Sequence, residues 1–165
     1  MAVLARDEIL GRVKQGIIKV EPFNSNNVGP GSIDLTLGNE FRVYSKKGKK
    51  VEVNENTEYR DYTVQKKGKI TIRPGEFVIG ITNEKITLPE NVCGLLSGRS
   101  RFARLGILVH ATASFIQPGI SNRQVLEIKN ISPNKLVLKP GIRICQLSLL
   151  EMKGKAKYSG KFSNQ

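Results

Sequence analysis

Histidine, cysteine and tryptophan are almost missing from this chain: its 165 residues hold one histidine, two cysteines and no tryptophan. The lone His110 and the two thiols leave too few soft ligands for a water-activating zinc centre, and no H-x-E or P-C-x-x-C string supplies one. Cys93 in "NVCGLL" and Cys145 in "IRICQL" sit among aliphatic residues without C-x-x-C spacing, and read as buried, inert thiols. No run of about 18 apolar residues is present, which excludes a spanning helix. The start, "MAVLARDEIL", carries Arg6, Asp7 and Glu8 where a signal peptide needs its apolar stretch, so a soluble, cytoplasmic protein is expected. Aromatic residues make up only 6%. That weighs against a basic barrel that stacks single-stranded nucleic acid on aromatic platforms, which stays as the non-enzymatic alternative.

Acidic residues are also scarce, 14 against 27 lysines and arginines, and the net charge of +13 calls for an anionic partner or a solvated basic surface. The runs "KKGKK" (Lys46 to Lys50) and "KKGK" (Lys66 to Lys69) have strand-like neighbours and an internal glycine, and read as hairpin tips.

What is abundant is short β-patterned sequence. Arg6 to Gln15 reads as a short amphipathic helix that Gly16 stops. After it come "IIKVEPF", "SIDLTLGNEFRVYS", "KITI", "FVIGITN", "VCGLL", "ILVHATASFI", "QVLEIKN", "LVLK" and "IRICQLSLLEM", parted by turns such as "RPGE", "QPGI" and "KPGI". Many short strands with Pro-Gly turns predict one all-β domain over 1–165, a sandwich or barrel. The end, "KGKAKYSGKFSNQ", reads as a mobile polar tail.

One stretch breaks the β pattern. In "SGRSRFARLG", Phe102 and Leu105 fall at i, i+3 and Gly106 sits at a C-terminal stop, which predicts about two turns of helix over Arg99 to Leu105. Ser100 and Arg104 would share a face, and free N–H groups beside Arg99 and Arg104 would suit an anion. A solvated basic turn is an equally good reading of these residues alone.

The run "GRSRFARLGILVHATASFIQPG" followed by "VLEIKN" closely resembles the dCTP deaminase branch of the dCTP deaminase and dUTPase superfamily, whose signature is G-R-S-S-x-A-R-L-G, then V-H-x-T-A, I-D-P-G and L-E. "GPGSIDLTLGNEF", "LKPGIRICQLSL" and "YSGKFSNQ" resemble its early, late and C-terminal segments in the right order. The resemblance implies a distorted jelly-roll of the β-clip, dUTPase-like kind, with a short N-terminal helix and one short internal helix. It also implies a homotrimer with active sites between subunits, and a nucleoside triphosphate (dCTP, with dUTP and dTTP as further ligands) bound with Mg²⁺. The Mg²⁺ would be held by the triphosphate, with no protein side chain as ligand and no zinc.

Residue by residue, the match puts Arg99, Ser100, Arg101, Phe102, Ala103 and Arg104 on the phosphates, with Ser100 and Arg104 also catalytic. Ala113 would hold the attacking water through its backbone, Glu127 would be the acid/base, and Val125, Leu126 and Glu127 would line the base pocket. Tyr158, Lys161 and Gln165 would close over the nucleotide, making 154–165 a mobile lid. Pattern alone makes Glu127 a solvated strand residue, because Val125, Glu127 and Lys129 alternate with Leu126 and Ile128. His110 reads as a packed, hydrogen-bonded neighbour of the pocket.

The expected reaction is hydrolytic deamination of dCTP to dUTP and ammonia. The alternatives are dUTP hydrolysis to dUMP and pyrophosphate, or both activities together. "IQPG" places Gln117 where the family carries a sugar-contacting aspartate, and an amide cannot act as a base, which argues against dUTP hydrolysis. "GISNRQ" also lacks the family's following glycine, so the loop over the sugar is expected to differ, and the two departures together would mean either an altered substrate preference or a weakened enzyme.

Overall fold

The computed structural model describes residues 2–45, 48 and 50–160. In chain order the strands and helices are β1 (Ala2–Val3), α1 (Arg6–Lys14), β2 (Lys19–Glu21), β3 (Ile33–Tyr44), β4 (Thr63–Lys67), β5 (Ile70–Ile72), β6 (Phe77–Thr87) and β7 (Val92–Gly98). They continue with α2 (Ser100–Ala103), β8 (Ile107–Val109), β9 (Phe115–Ile116), β10 (Ser121–Asn130), β11 (Leu136–Leu138) and β12 (Arg143–Glu151).

The main strands run in the order β8-β10-β6-β3-β12-β7-β9, and every described pairing is antiparallel. The sheet curls because β3 belongs to both halves. Ile33 to Thr36 pair with β12, while Leu37 and Phe41 to Val43 pair with β6 across a register shift. A strand that switches sheets at a bulge makes the corner of a β-sandwich. Gly38 sits at that corner, where a Cβ would lie 2.8 Å from the Ile81 carbonyl oxygen, so only glycine lets β3 and β6 approach. Beside it the buried Glu84 carboxylate accepts from Thr36 N at 2.8 Å and Thr36 Oγ1 at 2.7 Å, replacing the ladder partner that Thr36 loses where the strand changes sheets.

Alternation decides which side chains fill the sandwich. Leu35, Leu37 and Phe41 of β3, Leu126 and Ile128 of β10, and Ile144, Leu147 and Leu149 of β12 are essentially inaccessible and form one core with Ile9 of α1. Both thiols are buried, Cys145 within this core, and burial pushes each above its ordinary value, as expected for inert cysteines.

Some boundaries differ from expectation. The helix over Arg99 to Leu105 is shorter, with α2 covering Ser100–Ala103 before Arg104 and Gly106 turn the chain out. Gly106 is the stop, at φ +80°, and a Cβ there would lie 2.6 Å from Ser132 Cβ. "ILVHATASFI" is two strands, β8 and β9, parted by a loop that begins at His110. "KKGK" is not a hairpin tip, because β4 pairs with β3 and β5 pairs with β11. Its glycine turns the chain from one sheet to the other, with Gly68 N donating to Asn39 Oδ1 at 2.8 Å. Lys46, Lys47 and Lys49 of the other lysine run lie outside the described residues.

Candidate active site

The site rests on β10, β6 and β3, whose cross-strand register sets Glu127 beside Ile79 and Val125 beside Ile81, with Arg42 next to Ile79. Leu126 and Ile128 point into the core, so Val125 and Glu127 must face the other way, toward a pocket of about 500 Å³. The pattern expectation of a solvated face is half right. Both residues are partly exposed, but that face is walled by Ile79 and Phe77 of β6, Tyr44 of β3, and Tyr59 of the one-turn helix Tyr59–Tyr62.

The loop between β8 and β9 crosses the top of this strand and fixes the carboxylate. Thr112 N donates to Glu127 Oε2 at 2.9 Å, and Thr112 Oγ1 donates to the same oxygen at 2.7 Å. Two donors on one oxygen hold the carboxylate in a single rotamer.

The loop is shaped by His110, the one non-glycine residue at positive φ among the described residues, at φ +61°. Its backbone N–H donates to the Glu127 carbonyl at 2.8 Å, and its Nε2 lies 2.6 Å from the Ala113 carbonyl oxygen. A carbonyl can only accept, so Nε2 carries the proton. His110 thus packs and hydrogen-bonds beside the pocket, as expected, and ties Ala113 back to β10.

The other expected site residues divide into three groups. Glu127, Val125, Ala113, Gln117 and Tyr158 line the one pocket. Leu126 does not, since its side chain is fully buried in the core; this corrects its place in the base pocket, to which only its backbone is available. No residue from Arg99 to Arg104 lines this pocket either. Ser100, Arg101, Ala103 and Arg104 are exposed and Phe102 leans on the core, whereas Arg99 is turned aside, its guanidinium 3.0 Å from Asp34 Oδ2 and donating to the Arg143 carbonyl at 2.9 Å.

The expected mobile tail is laid along the molecule as far as it is described. Met152 N donates to the Asn91 carbonyl, Ala156 N to the Glu90 carbonyl and Tyr158 N to the Pro118 carbonyl, at 2.9, 2.9 and 3.1 Å. These bonds bring Tyr158 to the mouth of the pocket. Lys161 and Gln165 lie outside the described residues.

Sequence reasoning missed Thr112, which alone holds the Glu127 carboxylate among the contacts described, and Asn122 and Gln124, which line the pocket beside Gln117. A signal existed for each. Thr112 is the threonine of "HATA", and the two amides sit at alternate positions of a strand, in phase with the aliphatic Leu126 and Ile128. Among the described residues no group of three histidine, cysteine, aspartate or glutamate side chains converges as a metal site, and no helix is long and apolar enough to cross a membrane.

Three comparisons place this geometry among known proteins. The family model described as dCTP deaminase-like matches residues 3–152. A dCTP deaminase of Haloarcula marismortui is 35% identical over 92% of this chain and 81% of its own. A protein of Mycolicibacterium vanbaalenii named dCTP deaminase, dUMP-forming, is 36% identical over 94% of this chain and 84% of its own. The crystal structure of 2'-deoxycytidine 5'-triphosphate deaminase from Agrobacterium tumefaciens superposes with a TM-score of 0.68 at 21% identity, over 89% of this chain, and this chain spans 47% of that one. The strand-switching β-sandwich is that of the solved deaminase, and with the family match over nearly the whole length, the chain belongs to the dCTP deaminase-like family.

Proposed function

We propose that this protein deaminates dCTP hydrolytically, giving dUTP and ammonia, and that it does so in the cytoplasm as a homotrimer. The observation that carries the reading is the single carboxylate of the pocket, Glu127, clamped through one oxygen by Thr112. The other oxygen is left to work on the substrate. Water adds to C4 of the cytosine ring while N3 gains a proton, so a base must accept a proton from water and an acid must deliver one to N3. One carboxylate placed between the two atoms does both. It then takes the proton of the new C4 hydroxyl and passes it to the leaving amine, so that C4=O forms as ammonia departs and Glu127 returns ionised.

Ala113 stands at the pocket wall, with His110 holding its carbonyl and fixing where that loop can meet a water. Mg²⁺ belongs to the nucleotide in this reading. The triphosphate oxygens would carry the ion, with no protein side chain as ligand.

Ser100 and Arg104 are proposed to act on the pocket of a neighbouring copy. Their support is that they are exposed and do not line their own chain's pocket, with Leu105 (55% exposed) and Leu108 (41%) near them in the chain as apolar surface for a partner. Arg104 of one copy would then supply positive charge to the site of the next, with Arg99 and Arg101 flanking the phosphates.

A second reading, dUMP as the product, is favoured by the dUMP-forming name of the Mycolicibacterium relative. Against it stands Gln117, which lines the pocket with an amide that cannot activate water.

Incubation with dCTP and, separately, with dUTP, both with Mg²⁺, tests the reading by product separation. Ammonia and dUTP from dCTP support it. Pyrophosphate from dUTP without deamination overturns it. Glu127→Gln should lower turnover by about 10²–10⁴-fold with nucleotide binding retained. Mixing Ser100→Ala with Glu127→Gln protein and letting subunits exchange should restore activity if sites are shared between copies, and restores none if each chain is self-sufficient.

A further inference from the structure

Of the three carboxamides buried on the inward side of β10, Asn130 is held by Ile72, Ser132 and Asn134, whereas Asn122 and Gln124 line the pocket. Residues 122, 124, 126 and 128 of β10 share the inward side, where Leu126 and Ile128 are fully buried, yet Asn122 and Gln124 are each 7% exposed. An amide gains nothing from apolar surroundings and destabilises the fold unless its donors and acceptors are matched.

Part of the matching is internal, since Gln124 Nε2 donates to Asn122 Oδ1 at 2.7 Å. A glutamine amide offers two N–H groups and a carbonyl with two lone pairs, so this bond leaves capacity for a further partner. The backbone turns both side chains toward the site. The ladder with β6 shifts register between Arg123 and Val125, and Gln124 N donates to Thr82 Oγ1 at 2.9 Å instead of to a strand carbonyl. As a result the inward amides and the outward Val125 and Glu127 line the same pocket, with Gln117 beside them.

The spacing says which part of a ligand the amides meet. Gln124 and Glu127 are three residues apart, about 10 Å along a strand at its usual rise. A cytosine whose C4 lies at Glu127 carries its sugar on the opposite ring edge, one ring width away, within reach of a side chain from position 124.

Resting on the reading that the pocket takes a cytidine nucleotide, we infer that Asn122 and Gln124 form a subsite for a sugar hydroxyl, so that the protein binds cytidine triphosphate with its 2'-hydroxyl as well as the 2'-deoxy form. The mutual bond makes both possible. With a deoxy sugar the bond between Gln124 and Asn122 stands as it is, and with a 2'-hydroxyl the remaining capacity of the Gln124 amide meets a group that can both donate and accept. A valine at position 124 would leave that hydroxyl buried without a partner.

Calorimetric titration with Mg-dCTP and Mg-CTP in the Glu127→Gln background, which removes turnover, tests the subsite. CTP should bind within about tenfold of dCTP, and adding Gln124→Val should weaken CTP by about ten- to a hundredfold, the usual scale for an unmatched hydroxyl, while dCTP moves less than threefold. Asn122→Ala should show the same split and serves if the valine variant does not fold. CTP binding a thousandfold weaker than dCTP, equal losses for both nucleotides, or binding of neither overturns the inference. Deamination of dCTP by the unaltered protein is measured alongside. If it is absent while the binding split holds, the catalytic reading fails and the subsite stands.

Discussion

Thr112 reaches the Glu127 carboxylate twice on one oxygen, through its backbone N–H at 2.9 Å and its hydroxyl at 2.7 Å. This makes Thr112 a positioning residue, because it acts on substrate only through the glutamate it orients.

Thr112→Val keeps the side-chain shape and the backbone donor but deletes the hydroxyl. A hydrogen bond to a charged group is worth about 1.5–3 kcal/mol, so kcat should fall roughly ten- to a hundredfold. The Michaelis constant should stay near its original value, and Thr112→Ser should recover most of the rate. A Michaelis constant that rises with kcat unchanged would show that Thr112 serves binding instead.

Gln117→Asp should install a carboxylate able to activate water beside the phosphates, and dUTP should begin to release pyrophosphate while deamination persists. The added charge also repels the triphosphate. At ~4 Å, with an effective dielectric of 20, one charge pair is worth up to about 4 kcal/mol, so weaker nucleotide affinity should accompany the new activity. If the unaltered protein already hydrolyses dUTP well, another group activates the water and the argument from Gln117 is wrong.

Truncation after Lys157 removes Tyr158 from the mouth of the pocket, together with Lys161 and Gln165. The apparent Michaelis constant for dCTP should rise at least about tenfold, the loss expected when one or two bonds to a charged phosphate disappear. Tyr158→Ala should account for part of that rise. An unchanged constant after truncation would leave these residues no part in binding.

Cys145 is fully buried, and loss of solvation pushes its thiol well above the ordinary 9.0. The folded chain therefore keeps a proton that the unfolded chain gives up as pH passes about 9. Stability is full below that point and declines above it, by up to about 1.4 kcal/mol per pH unit for this one group. Urea melts between pH 8 and pH 10.5 should show the decline, and Cys145→Ala, though less stable throughout, should show a shallower one. Parallel declines in the two proteins would assign the effect to other groups. The native thiol should also resist alkylation until the protein unfolds.

The fold class was legible in the sequence because strand alternation and Pro-Gly turns are local signals. The apolar residues at 126 and 128 could only face inward, and turns such as "QPGI" could only reverse the chain. Family likeness was legible for a related reason, since "GRSRFARLG" and "VHATA" are contiguous strings. The sheet switch at Gly38 was not, because it depends on Ile81, a residue of another strand. The part of Glu127 was hidden for the same reason: alternation marks it as outward, and only the walls supplied by β3, β6 and the loop of Thr112 make that outward face a pocket. Asn122 and Gln124 went unmarked in the sequence, because only the pairing of β10 with β6 brings them to the same pocket as Glu127. The sequence by itself determined which residues must be buried and which turns must form, since those depend on solvent and on neighbours in the chain. Tertiary structure decided which polar groups share a cavity, because pairing between strands joins residues that sequence distance keeps apart.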